Sequence, residues 1–312
     1  MRSTFALLGL AILLLAAGRP AAAQVAWALH VHECYTATSS ETGIPSCTRA
    51  LVSIALPDNV RADVYVQRAQ RYLDDGRAQE AIADYTAALR HQAGLHGALV
   101  GRGIARRLAR DYPGALADLD RAALGRPNDT LILLHRAATH ELALDPTQAR
   151  ADYTAALAID PALLVARDGR ARTARALGLV EDAFADIAVS LAEEPESASS
   201  LHERGLTHLA NDNLDAALED FEATIAREPE HAEAHSNRGL VRYLRDDLDA
   251  AKQDFDRALA LNPRLGAAYF NRALWWRRRD AADRARDDWL RAKEFAPSLV
   301  TAANARYFGD DP

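Results

Sequence analysis

Seven segments of 34 residues follow one another without a gap over residues 62–299, and their side chains agree column by column. Position 8 of a segment holds only glycine or alanine, position 20 holds alanine in all seven, and position 24 is always large and apolar. In an array of this period each repeat buries its apolar face against its neighbours, so the chain is predicted to be a stack of similar units. The repeats begin at Ala62, His96, Thr130, Leu164, Ala198, Ala232 and Gly266.

The spacing within each repeat predicts two helices and no strand. Because the large residue at position 24 comes one helical turn after the alanine at position 20, both lie on one face of the second helix. Position 32 is proline in six of the seven repeats, Ala93 being the exception, and a proline there ends the second helix. We expect Pro113 to begin a second helix and Pro146 to lie within a turn. No segment alternates polar and apolar residues as a strand does, so the fold class is predicted to be all-α.

The sixth repeat carries Gly239, Ala251, Phe255, Ala258 and Pro263 at positions that resemble the tetratricopeptide repeat. The resemblance extends over all seven repeats. It implies antiparallel helix pairs stacked into a right-handed superhelical solenoid, with the first helices lining a concave groove that usually binds peptides or partner proteins. Tryptophan, which the family often has at position 4, is absent from that column here.

The first 23 residues have the pattern of a secretory signal peptide. Arg2 precedes an apolar run over residues 5–17, and three alanines at 21–23 resemble a cleavage site before Gln24. The run is short for a transmembrane helix, although retention as an anchor is the alternative. We therefore expect a periplasmic or secreted protein with no stable membrane insertion after the signal is removed. The rest is predicted as a capping segment over residues 24–61, seven repeats over 62–299, and a capping helix with a tail over 300–312.

Cys34 and Cys47 are the only cysteines, and both lie in the predicted capping segment. An even number of cysteines in an exported chain indicates a structural disulfide, with two free thiols as the alternative. Residues 46–56 have the apolar spacing of a helix, and we expect this helix to cover the open end of the first repeat.

Two charged columns are as regular as the apolar ones, since position 7 is arginine and position 23 is aspartate in every repeat. Each lies one residue before a core position, which predicts structural ion pairs between first and second helices, within or between repeats. A ladder of arginines for an anionic polymer is the alternative, but the matching aspartates argue against it. The arginines are Arg68, Arg102, Arg136, Arg170, Arg204, Arg238 and Arg272. The aspartates are Asp84, Asp118, Asp152, Asp186, Asp220, Asp254 and Asp288.

The candidate partner-binding residues are side chains of the first helices that vary from repeat to repeat. The family resemblance places positions 2, 5, 6, 9, 12 and 13 on the concave side. A varied surface suits one irregular partner, whereas ordinary solvated surface is the alternative. The candidates are Arg107, His135, Arg172, Arg175, His202, Asn237, Tyr243, Asn271 and Arg278.

Composition and motifs narrow the function further. The formal net charge is −7 and the pI about 5.8, which argues against a nucleic-acid partner, because phosphates require a basic surface. We find no catalytic constellation, metal-binding motif or cofactor motif. The sequence therefore predicts a non-catalytic scaffold of the periplasm or cell envelope that binds a protein or peptide, whose identity it leaves open together with the oligomeric state. The alternatives are a self-assembling architectural rod and a metal-binding or hydrolytic accessory protein.

Overall fold

The structure, a computed structural model, describes residues 21–299 and 301–309. Within these ranges the chain forms seventeen α-helices and no strand, which confirms the all-α prediction. Most of the predicted signal peptide and the last three residues of the predicted tail lie outside the described residues. None of the described helices combines the length and the apolar character needed to cross a bilayer.

The described part of the chain divides into two compact bodies, with the boundary between residues 159 and 160. The N-terminal body contains α1 (Ala21–Thr36), α2 (Ser40–Val52), α3 (Asp58–Asp74), α4 (Ala78–His91), α5 (His96–Leu108), α6 (Tyr112–Gly125), α7 (Thr130–Leu142) and α8 (Pro146–Ile159). The C-terminal body contains α9 (Leu164–Ala176), α10 (Val180–Glu193), α11 (Ala198–Ala210), α12 (Leu214–Arg227), α13 (Ala232–Leu244), α14 (Leu248–Leu261), α15 (Gly266–Arg278), α16 (Ala282–Phe295), a 3₁₀ turn (Pro297–Leu299) and α17 (Ala302–Tyr307).

The helices keep the register of the sequence repeats. Every second helix occupies positions 17–30 of its repeat, and every first helix except α3 occupies positions 1–13. Helix α3 begins four residues early, at Asp58. The expectation that Pro146 lies within a turn is wrong, because Pro146 is the first residue of α8. Proline is favoured there, since its missing N–H would have had no partner within the helix.

The turn between the two helices has the same backbone conformation in all seven repeats. The residue at position 15 takes a left-handed conformation with φ between 56° and 74°. The amide of the next residue then donates to the carbonyl five residues earlier, at 2.7–3.0 Å, which satisfies the end of the first helix. The corner residues are Gly76, Arg110, Leu144, Gly178, Asp212, Asp246 and Asp280.

The core forms where small residues of one helix receive large residues of the next. All seven alanines at position 20 are fully buried. A Cβ atom added to Gly239 would lie 2.7 Å from Cε1 of Phe255, and one added to Gly205 would lie 2.8 Å from Cε1 of Phe221. The small column at position 8 therefore makes room for the ring at position 24 of the same repeat.

A helical hairpin precedes the first repeat. Helices α1 and α2 are joined at Cys34 and Cys47, whose sulfur atoms lie 2.05 Å apart, the distance of a disulfide bond. Arg71 of α3 ties the hairpin to the first repeat, donating to the carbonyl oxygens of Cys34 and Ala37 at 2.7 and 3.0 Å. The expected helix over residues 46–56 is displaced, because α2 begins at Ser40, where the hydroxyl of Ser39 accepts from the amide of Thr42.

The last repeat is covered by the segment after α16. The ring of Phe308, buried just beyond α17, stacks on Trp289 of α16 with centroids 5.0 Å apart. This contact removes from water an apolar face that a following repeat would otherwise cover.

Candidate partner-binding surface

The two charged columns meet inside every repeat. Each arginine at position 7 donates two hydrogen bonds to the aspartate at position 23 of its own repeat, as Arg102 does to Asp118 at 2.7 and 2.6 Å. The aspartates are only 2–8% exposed. The hydrogen bond to Asp220 raises the pKa of Arg204, since it favours the charged guanidinium. These arginines therefore brace the two helices of a repeat and are not an open row of cations.

The candidate partner-binding residues all lie on the first helices. At 100° per residue, positions 2, 6, 9 and 13 share one stripe of a helix. Helix α5 packs beside α7 in the N-terminal body, and α11 packs beside α9 and α13 in the C-terminal body. The stripes of neighbouring first helices therefore lie next to one another within each body.

The predicted residues Arg172 and Arg175 converge in the C-terminal body. Both belong to α9 and donate to the carboxylate of Glu203 in α11, at 3.3 and 3.4 Å. Glu203 is 6% exposed, so its charge depends on these two partners. Position 12 of one repeat thus reaches position 6 of the next.

His202 and Asn237 also meet, one helix further along. The amide of Asn237 donates to Nε2 of His202 at 3.0 Å, and the His202 ring lies 4.7 Å from that of His231. Burial, together with the charges of His231 and of the two α9 arginines, lowers the pKa of His202 to about 3. His202 is therefore neutral at ordinary pH.

Sequence reasoning missed His231, because it lies in the turn before α13 and not at a first-helix position. Its ring nitrogen Nδ1 accepts from the amide of Ala234, so it caps α13 as well as packing on His202. The sequence feature that could have identified His231 is its position immediately before the first helix of a repeat.

The remaining candidates of the C-terminal body are engaged with their own chain. Arg278 lies 5.4 Å from the Tyr243 ring centroid and donates to Asp246 at 2.6 Å. Asn271 is buried, and its amide donates to Oγ of Ser236 at 3.2 Å. Asn271 is thus a contact between α15 and α13, whereas Tyr243 and Arg278 remain partly accessible.

The predicted residues Arg107 and His135 are neighbours in the N-terminal body. Arg107 in α5 is half-buried; burial lowers its pKa, and only the hydroxyl of Tyr153 opposes that effect. Burial and the charge of Arg107 together lower the pKa of His135 in α7. Tyr153 donates to Glu141 at 2.7 Å. Unlike Arg175, Arg107 has no carboxylate partner among the residues that the structure describes.

Within residues 21–299 and 301–309, no group of three or more histidine, cysteine, aspartate or glutamate side chains could hold a metal ion.

The sequence matches the family model for the tetratricopeptide repeat over residues 66–130 and 202–263. No curated protein matches it. A tetratricopeptide repeat protein from Parabacteroides merdae superimposes with a TM-score of 0.70 at 17% identity, covering 80% of this chain and 97% of its own. PilW, a widely conserved type IV pilus biogenesis factor, gives 0.57 at 19% identity, covering 65% of this chain and 94% of its own. The human IFIT1 dimer with m7Gppp-AAAA gives 0.60 at 16% identity and 75% coverage, and the match spans 59% of the IFIT1 chain.

Proposed function

Because this chain is a tetratricopeptide-repeat protein, we propose that it is a non-catalytic scaffold that binds a protein or peptide on the exposed face of its first helices. One contrast carries the proposal. The core columns and the arginine–aspartate columns are uniform, whereas the face positions are largely apolar on α5 and α7 and include Arg172 and Arg175 on α9. Packing requires the uniform columns, but nothing in the packing requires the uneven face, which suits a partner with its own uneven pattern.

A protein partner fits this surface better than RNA. The IFIT1 structure contains a capped oligonucleotide. In this chain, however, the regular arginine column is matched by buried aspartates, and the net charge is −7. Phosphate binding needs unpaired cations arranged along the polymer.

We place the protein in the periplasm or outside the cell. The signal-like pattern over residues 1–23 supports this location, as does the pair of cysteines at disulfide distance, since disulfides persist in oxidising compartments. N-terminal sequencing of the protein from its native envelope is expected to begin at Gln24. Recovery of Met1 in the cytoplasm would contradict the location.

The binding proposal is tested by affinity capture from an envelope extract. The bait is the mature chain, compared with a variant carrying Arg172→Gln, Arg175→Gln and Tyr243→Ala. A control variant carries Arg257→Gln and Arg291→Gln, which alter exposed residues of second helices. We expect the first variant to lose at least one protein that the wild type and the control retain.

Thermal unfolding of each bait shows whether a loss reflects unfolding, because the first variant leaves Glu203 without its partners. Equal recovery of every protein by all three baits would contradict binding through the first helices. A sedimentation coefficient that rises steeply with protein concentration would favour the self-assembling rod.

A further inference from the structure

Three leucines of the N-terminal body lie in water on neighbouring first helices. Leu108 of α5 is 57% exposed, and Leu131 and Leu142 of α7 are 56% and 50% exposed. They occupy positions 13, 2 and 13 of their repeats, which lie within about 20° of one another around a helix. A single exposed leucine is ordinary, but three on packed neighbouring helices form an apolar face.

An arginine without a carboxylate partner in the described part of the chain lies on α5, on the same helix as Leu108. His135 stands between Leu131 and Leu142 on the same stripe of α7, and burial together with the charge of Arg107 lowers its pKa. Arg107 and His135 have the same register as Arg175 and Glu203, position 12 against position 6 of the next repeat, and Arg175 meets Glu203 there.

The N-terminal body has a histidine where the C-terminal body has that glutamate. Among the described residues, the half-buried guanidinium of Arg107 therefore lacks the partner that its equivalent has. A partly desolvated charge without a partner is unfavourable, and a carboxylate brought by a ligand would relieve it.

His135 can donate a hydrogen bond to the same carboxylate as Arg107. His135 is neutral at ordinary pH because its pKa is lowered, and a neutral imidazole has one N–H to donate. The carboxylate of Glu141 already accepts a hydrogen bond from the hydroxyl of Tyr153. The leucines argue against a free phosphate or a phosphate polymer, because such a ligand would leave them in water.

We infer that the face of α5 and α7 binds a peptide in which an aspartate or glutamate is flanked by apolar side chains. The carboxylate contacts Arg107 and His135, and the apolar side chains cover Leu108, Leu131 and Leu142. This inference rests on the proposed function, of which it names one site and one class of partner.

The test begins with a phage-displayed library of random peptides, panned against the mature full chain. We expect the enriched peptides to share an acidic residue between apolar ones. Their affinity is then measured by fluorescence anisotropy against the wild type, Arg107→Gln, and a double variant carrying Leu131→Ser and Leu142→Ser. Arg107→Gln should weaken binding about tenfold or more, as expected for loss of a charged hydrogen bond. Replacing the acidic residue of the peptide by its amide should cost the same and add little to Arg107→Gln.

Two matched controls isolate the site. Leu124→Ser alters a leucine of the second helix α6 that is 85% exposed, and Arg257→Gln alters an exposed arginine of the second helix α14; both should leave peptide affinity unchanged. Arg107→Gln should not lower the melting temperature, because it removes an unpaired charge.

The outcomes separate the inference from the proposed function. Failure to enrich acidic peptides, or enriched peptides that bind Arg107→Gln as well as the wild type, would overturn the inference. If those peptides still respond to other first-helix variants, the proposed function stands. Insensitivity to every first-helix variant would overturn both. A sedimentation coefficient that rises with concentration in the wild type but not in Arg107→Gln would show that a second copy of the chain occupies this face. That result would overturn the peptide as the occupant.

Discussion

The carboxylate of Asp152 is buried in α8 and accepts two hydrogen bonds from Arg136, at 2.8 and 2.5 Å. Arg136→Ala should therefore lower the free energy of unfolding by about 3 kcal/mol, because a buried charge loses its partner. Arg238→Ala should cost less, since Arg242 still donates to Asp254 at 2.9 Å. Urea unfolding followed by circular dichroism measures both. Equal losses would show that the second arginine gives no support.

His202 should make the protein sensitive to acid. Its pKa is about 3 in the folded chain, against about 6.5 when unfolded. The unfolded state therefore binds the extra proton first, so this contribution is complete above pH about 6.5 and is lost progressively as the pH falls toward 3. We expect the stability difference between pH 7 and pH 5, measured by urea unfolding, to be smaller in His202→Gln than in the wild type. His32→Gln, which alters an exposed histidine, should leave that difference unchanged.

At the scale of single residues, the sequence predicts packing better than binding. The alanine, arginine and aspartate columns repeat because each repeat solves the same contact, so their spacing shows which residues are structural. The face residues do not repeat, and their surroundings depend on neighbouring helices. Asn271 is buried, and Arg107 lacks the carboxylate that Arg175 has; neither fact is visible without the contacts.

The close approach of the two helices of a repeat predicts opposite effects for two glycine substitutions. Gly239→Ala should destabilise the protein by about 1–3 kcal/mol, although alanine favours helices, because its Cβ would lie 2.7 Å from the Phe255 ring. Gly97→Ala, at an open position of α5, should stabilise by about 0.5–1 kcal/mol. Thermal unfolding decides between them. Stabilisation by both would mean that the Phe255 ring moves aside freely.

The helices of the repeats can be predicted from the sequence because seven copies of one pattern resolve what is ambiguous in any single copy. Seven copies of one pattern predict both helices and the turns between them, but a segment without a copy is harder to predict. The helix expected over residues 46–56 begins instead at Ser40, since a serine cap outweighs the apolar spacing that pointed further along the chain. The left-handed corners were also not anticipated, because only two of the seven carry glycine.

For the whole molecule, the family and the fold class were predictable from the period, and the partner was not. The 34-residue period determines how the repeats stack, whereas the choice of partner depends on the few face residues that do not repeat. Apolar side chains on α5 and α7, and the arginines Arg172 and Arg175 on α9, give each body its own chemistry. The IFIT1 and PilW structures share the fold with this chain at 16% and 19% identity, and a shared fold does not by itself imply a shared ligand.

Within each body, close helix packing joins helices that are adjacent or next but one along the chain. Distant stretches therefore need not find one another during folding, and little entropy is lost in closing long loops. In each body a single hairpin can act as the nucleus, and further hairpins can add to it in turn. A chain that emerges N-terminus first, from a ribosome or through a membrane pore, can thus assemble in the order in which it appears.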